Sequence, residues 1–256
     1  MTRPDYPKGH QLPSGKNVVI TAAAGTGIGY ATARRCLEEG ASVLISDHHP
    51  ERLEQSADKL AVYGAVSSTI CDVTNEDHVQ GLVASAEAAF GEVDLWINNA
   101  GLGGSCSIID MRDEQWQRVL DVTLTGTFRC VRAAMTHMQK QQRGVIINNA
   151  SVLGWRAQKQ QAHYAAAKAG VMALTRCAAL EAAEFGVRIN AVAPSLAMHP
   201  FLSKVIDNDT LEQLAKQEAF GRPAEVWEVA NVMVFLGSDL SSYMTGETVS
   251  VSSQRA

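Results

Sequence analysis

The 256-residue chain carries 22 Lys and Arg against 27 Asp and Glu, a formal net charge of -5, with 46% hydrophobic and 19% charged residues. That length buries a large core, the composition is that of a globular protein, and the missing basic surplus excludes a binder that tracks nucleic-acid phosphates. No apolar run reaches membrane-spanning length, and five widely spaced cysteines without a C-x-x-C pair fit reduced thiols rather than disulfides or a metal site.

The opening MTRPDYPKGHQLPSGK is polar, Pro-containing and without the apolar centre of a signal peptide, so residues 1–15 read as an extension and the protein as cytoplasmic. From 16 to 256 no flexible linker interrupts the chain, which predicts one domain. A strand over 17–21 (NVVIT) runs through a Gly-rich turn into a helix over 28–39. Strands over 42–46, 66–71, 93–98, 144–149, 187–192 and 248–252 follow, alternating with helical segments at 51–61, 75–90, 113–140, 162–185 and 225–236. This alternation predicts an α/β fold, a doubly wound parallel sheet of about seven strands with helices on both faces. Ligands of such sheets bind beyond the carboxyl ends of the strands, so functional residues should follow strands.

The first such place is TAAAGTGIG. Gly25, Gly27 and Gly29, with Thr26 and Ile28, permit a tight turn whose backbone N–H groups and following helix N-terminus suit a pyrophosphate. Asp47 closes the second strand 18 positions after Gly29, where a carboxylate accepts from ribose hydroxyls and repels a 2′-phosphate. With no Lys or Arg in the turn, NAD is expected over NADP. His48 and His49 read as a solvated loop pair.

The second place follows the fifth strand. Tyr164 and Lys168 lie one helical turn apart, so their polar ends can meet over one ligand, and the helix between them is nearly all Ala. Bringing a Tyr pKa from about 10 towards neutrality needs roughly 4 kcal/mol of preference for the phenolate. The Lys168 ammonium and an oxidised nicotinamide are the available positive charges, and the Ser151 hydroxyl stands ready to hold a substrate oxygen beside Tyr164.

Together with CDV at 71–73, NNAG at 98–101 and RINAVAP at 188–194, these segments resemble the short-chain dehydrogenase/reductases along essentially the whole chain. The resemblance implies a Rossmann-like sheet, a nicotinamide cofactor, and hydride transfer between it and a carbonyl or alcohol. It places Asp72 and Val73 at the adenine, Asn99, Ala100 and Gly101 along the cofactor ribose, and Ala197 at the carboxamide. It makes Ser151 the group that orients the carbonyl, Tyr164 the proton donor or acceptor, and Lys168 the ribose ligand that lowers the Tyr164 pKa. Family members are usually homotetramers.

Four positions depart from the family pattern. The Gly-rich turn is one residue longer and begins Thr21-Ala22 where Gly usually follows Thr; Ser195 follows Pro194 where Gly is usual, and His199 replaces a Thr. The C-terminal VSVSSQRA lacks an Asp-Gly-Gly. Within DVTLTGTF, Thr123 occupies the place of an Asn that, at a helical irregularity, holds a proton-relaying water. Thr123 thus either sustains the relay through a repositioned water or fills the space.

The segment 195–221 resembles the family's substrate lid, and its apolar start (Leu196, Met198, Phe201, Leu202) favours a bulky or acyl substrate. Arg156, Lys159, Lys204 and Arg222 are bases available to CoA phosphates. The wording of the turn and tail resembles actinobacterial members acting on CoA thioesters from sterol-ring breakdown. The leading expectation is an NAD-dependent enzyme interconverting a secondary alcohol and ketone on such a substrate. Its rivals are a 3-oxoacyl-thioester reductase of fatty-acid metabolism and a cofactor-binding protein without turnover. No metal, membrane or nucleic-acid partner is expected.

Overall fold

A computed structural model describes residues 3–198 and 208–253. Seven strands, β1 (Asn17–Ile20), β2 (Ser42–Asp47), β3 (Val66–Ile70), β4 (Leu95–Asn98), β5 (Gly144–Asn149), β6 (Val187–Pro194) and, last in the chain, β9 (Thr248–Val251), form one sheet in the order β3-β2-β1-β4-β5-β6-β9. Every pairing is parallel. A two-residue pair, β7 (Ala197–Met198) with β8 (Ala224–Glu225), sits apart from it and was not expected from sequence.

Alternation along the strands divides the core in two. Val19, Leu44, Trp96, Ile146 and Ile189 face a layer that includes α3 (Glu76–Phe90), α5 (Gly126–Gln141) and α6 (Ala162–Ala183). Val18, Ile20, Ile45, Ile97 and Ile147 face α1 (Ile28–Glu38), α2 (Pro50–Leu60) and α8 (Val226–Gly237). Both faces are covered, which is why the central strands carry apolar residues at successive positions. Two further helices, α4 (Asp113–Leu120) and α7 (Asn208–Gln217), lie over the carboxyl end. The chain reverses its winding between β1 and β4, and it is there that a doubly wound sheet opens a crevice.

The extension is docked rather than loose. Tyr6 donates to Glu38 at 2.5 Å, its ring lies beneath the Arg34 guanidinium and meets Trp227 edge-on, and the His10 and Leu12 amides donate to the buried Glu39 carboxylate. Arg35 also donates to Glu39 at 2.5 Å. The leading segment therefore clasps α1 to α8.

The expected single helix over 113–140 is three pieces. Between α4 and α5, Asp121–Thr125 forms a π turn. The residues that made this stretch a poor helix explain it. A Cβ on Gly126 would stand 2.6 Å from Val73, so only glycine permits that approach, while Thr127 donates to the Thr123 carbonyl at 2.7 Å. Leu124 packs where a Cβ on Gly170 of α6 would otherwise stand, 2.7 Å away. A π turn re-aims side chains that a straight helix would present elsewhere.

Candidate active site

The crevice is a cleft of about 2060 Å³ lined by the ends of β1, β2, β4, β5 and β6 and their following loops. Gly25, Thr26, Gly27, Ile28, Asp47, Asp72, Val73, Asn99, Ala100, Gly101, Ser151, Tyr164, Lys168 and Ala197 all line it. Gly29 and Thr123 do not; each stands behind the wall and shapes it.

The Gly-rich turn is tied down on both sides. The Ala24 amide donates to Asp47 Oδ2 at 3.3 Å, and the Gly25 amide donates to the buried Ser56 hydroxyl of α2 at 2.9 Å. Gly25, expected to turn its N–H to a pyrophosphate, spends it on Ser56 instead. That contribution passes to the first turn of α1, whose N-cap Gly27 has no side-chain cap and which carries no acidic residue, leaving its amides open to an anion. Gly29 is required for another reason. A Cβ there would lie 2.5 Å from Asn99 Nδ2 and 2.6 Å from the Ala22 carbonyl. Ala22, at the place where the family has Gly, adopts φ +51°, a left-handed conformation that costs an L residue about 1–2 kcal/mol.

Asp47 is buried at the end of β2, with Oδ1 accepting from the His49 amide at 3.0 Å and His48 Nδ1 3.3 Å away. His49 caps α2, accepting from the Arg52 amide through Nδ1. The histidine pair is therefore engaged in the local fold. Thr74 donates through its amide and its hydroxyl to Asp72, holding that carboxyl below its ordinary pKa against the opposing effect of burial.

Ser151 lies two residues beyond β5 and accepts from the Leu153 amide at 3.2 Å; its hydroxyl faces the Tyr164 phenol. Tyr164 and Lys168 project from α6, the ammonium 5.6 Å from the phenol ring centroid and 2.5 Å from the Asn149 carbonyl, to which it donates. Burial dominates both groups in the protein alone. It pushes Tyr164 up to about 12, opposed by the Ser151 hydrogen bond, and Lys168 down to about 7. Each is thereby least stable in its charged form until a ligand of suitable charge arrives.

Thr123, wholly buried at the centre of the π turn, accepts from the Leu102 amide at 2.9 Å and donates to the Leu102 carbonyl at 3.2 Å. A hydroxyl has one proton, and here it is given to Leu102. The neighbouring Gly101 runs so close to Lys168 that a Cβ would stand 3.3 Å from Nζ. The π turn thus holds the backbone that closes over the ammonium.

The cleft fits a nicotinamide dinucleotide on the chain's own features: an uncapped helix N-terminus, a turn where a Cβ on Gly25 or Gly27 would meet no other segment among the described residues, and an acid at the end of β2. Asn149, also in the cleft wall, has a buried Oδ1 without a donor among the described residues. Sequence reasoning missed Asn149 and Ser56. The repeated Asn-Asn that ends both β4 and β5 was the visible signal for the first; nothing in the sequence marked the second.

On the substrate side, Leu153, Arg156, Leu196 and Leu214 line the cleft. Arg222, expected among the bases free for CoA phosphates, instead pairs with both oxygens of Glu228, at 2.7 and 2.8 Å. His199, Phe201, Leu202 and Lys204 lie outside the described residues. The rest of the lid contains α7, which the sequence reading did not separate, and the Ser253 hydroxyl donates to Glu218 beyond it, so the unusual tail reaches the lid.

A family model described as Enoyl-(Acyl carrier protein) reductase matches residues 22–253. A Mycobacterium tuberculosis protein named (5R,7aS)-5-hydroxy-7a-methyl-1-oxo-2,3,5,6,7,7a-hexahydro-1H-indene-carboxyl-CoA reductase is 59% identical over 249 residues, covering 96% of this chain and 95% of its own. Among solved structures, a short chain dehydrogenase from Mycobacterium smegmatis superposes with a TM-score of 0.89 at 55% identity, covering 100% of this chain and 99% of that one. An NAD+-bound xylitol dehydrogenase does so with a TM-score of 0.89 at 31% identity, covering 94% and 99%. The chain belongs to the short-chain dehydrogenase/reductase family, oxidoreductases that work with a nicotinamide cofactor.

Proposed function

We propose that this protein is an NAD-dependent oxidoreductase that interconverts a ketone and a secondary alcohol on a bulky, ring-containing acyl-CoA. The observation that carries the chemistry is the meeting of Ser151, Tyr164 and Lys168 in one cleft wall, with Lys168 Nζ 5.6 Å from the Tyr164 ring centroid. A bound nicotinamide supplies the hydride and, when oxidised, a positive charge. Ser151 donates to the substrate oxygen and fixes the carbonyl, Tyr164 gives that oxygen its proton in reduction and removes it in oxidation, and Lys168 holds the ribose while favouring the phenolate.

Asp47 supports NAD, since its buried carboxylate stands where a 2′-phosphate would bring like charge. The substrate class rests on the relative at 59% identity, whose name specifies a ring-bearing carboxyl-CoA, and on the apolar Leu153, Leu196 and Leu214 in the cleft. Arg156 is the cleft base we assign to the CoA arm. Thr123 acts by holding Leu102 and not by relaying protons, because its hydroxyl is engaged on that residue in both directions.

Among the described residues no helix is long and apolar enough to cross a membrane, and the five cysteines are unpaired, which suits a reducing cytoplasm. Exposed Phe128 on α5 and Leu180 on α6 support assembly through those helices into a homotetramer. The function is tested by incubating the enzyme and NADH with an indanone carboxyl-CoA ester. Loss of absorbance at the reduced-nicotinamide band with a two-hydrogen gain in substrate mass is expected. Neither change, in an enzyme that binds NADH, would reject the substrate class.

A further inference from the structure

The Gly-rich turn and the catalytic ammonium belong to different ends of the cleft, yet a single file of hydrogen bonds joins them. Asn99 Nδ2 donates to the Ala22 carbonyl at 2.9 Å, Asn149 Nδ2 donates to Asn99 Oδ1 at 2.9 Å, and Lys168 Nζ donates to the Asn149 carbonyl at 2.5 Å. The direction of each amide follows from chemistry. The Ala22 carbonyl can only accept, so Asn99 must turn its NH₂ towards it and its oxygen towards Asn149, which must then donate.

The file is a built feature. Gly29 is the residue that leaves room for its first bond, since a Cβ would strike both of that bond's atoms. Ala22, which it holds, is the non-glycine residue of the turn with a left-handed backbone. At the other end the ammonium is buried and its charged form disfavoured, so a fixed acceptor decides where it rests.

We propose that Asn149 is a positioning residue: it joins Lys168 to the Gly-rich turn, so that the placement of the ammonium depends on the turn that receives the cofactor's phosphates. The inference rests on the nicotinamide reading above and assigns a role in it to a residue outside the Ser-Tyr-Lys set. Removing the Asn149 carboxamide keeps the main-chain carbonyl that Lys168 uses but cuts its tie to Asn99, so the carbonyl shifts relative to the turn and carries the ammonium with it.

The test is Asn149→Leu, with Asn149→Ala as a smaller second variant, each made in the wild type and in a Lys168→Met background. Calorimetry measures the affinity for ADP and for NADH and NADPH, the tighter of the two coenzymes being used. A wrong coenzyme assignment then shows in the wild type, and a wrong role for Asn149 shows only in the variants. Losing one hydrogen-bonded link should weaken dinucleotide binding about tenfold, leave ADP within about twofold, and change almost nothing once Lys168 is already Met. A parallel fall in kcat with substrate KM unchanged is expected. Equal losses in both backgrounds, an equal loss for ADP, or no loss in either folded variant would overturn the proposal.

Discussion

Tyr164 and Lys168 show how burial alone sets the wrong protonation states for catalysis. With the phenol near 12 and the ammonium near 7, the protein without ligand favours two neutral groups only between those values, above pH 7. Tyr164→Phe should lower turnover at least about 10²-fold while leaving NADH affinity within about threefold, as steady-state kinetics and calorimetry would show. Lys168 also carries a stability signature. Between pH 7 and the ordinary Lys pKa the unfolded chain binds a proton that the folded one does not, so this residue makes stability rise with pH in that window. The melting temperature of the unliganded wild type should therefore climb from pH 7 to 9 relative to that of Lys168→Met. A constant difference would mean the ammonium stays charged when buried. For Thr123, which both bonds and fills space, Thr123→Ser should keep most activity, and Thr123→Val should lose about tenfold through release of Leu102, with the shape of the pH profile unchanged. A pH profile displaced in Thr123→Val would instead mark a relay.

At the scale of elements, periodicity located every strand of the main sheet and the α-helices other than α7, with α4 and α5 run together as one, because doubly buried strands and amphipathic helices announce themselves by spacing. Less was legible where contacts join distant positions. DVTLTGTF showed as a poor helix, yet that Gly126 admits Val73 and that Thr123 faces Leu102 depends on neighbours 53 and 21 residues away, a separation no local pattern encodes. Asp47, Ser151, Tyr164 and Lys168 were readable since each follows a strand in a recognisable motif. Asn149 showed only as half of a repeated Asn-Asn, and what it does depends on an amide and an ammonium supplied by other elements. The N-terminal clasp is a similar case: a polar extension in sequence, it closes on a fully buried Glu39 paired with Arg35. Glu39→Leu leaves Arg35 with Glu38 alone and strips the His10 and Leu12 amides of their acceptor, so it should cost about 3 kcal/mol in denaturant unfolding, and the double variant Arg35→Met/Glu39→Leu less.

Over the whole molecule, the sheet order puts the winding reversal between β1 and β4, and every group assigned to chemistry stands at that carboxyl edge. The cleft is large enough for a dinucleotide and a bulky second ligand together, and its two halves differ: Asp47 stands at one end, and leucines with Arg156 line the other. Both are addressed by one comparison of kcat/KM for an indanone carboxyl-CoA ester and a linear 3-oxoacyl-CoA, each with NADH and with NADPH. The ring ester with NADH should exceed the other three combinations by at least about tenfold, the discrimination that one unfavourable charge or one unfilled apolar pocket provides. A faster rate with the linear thioester, or a preference for NADPH, would contradict it.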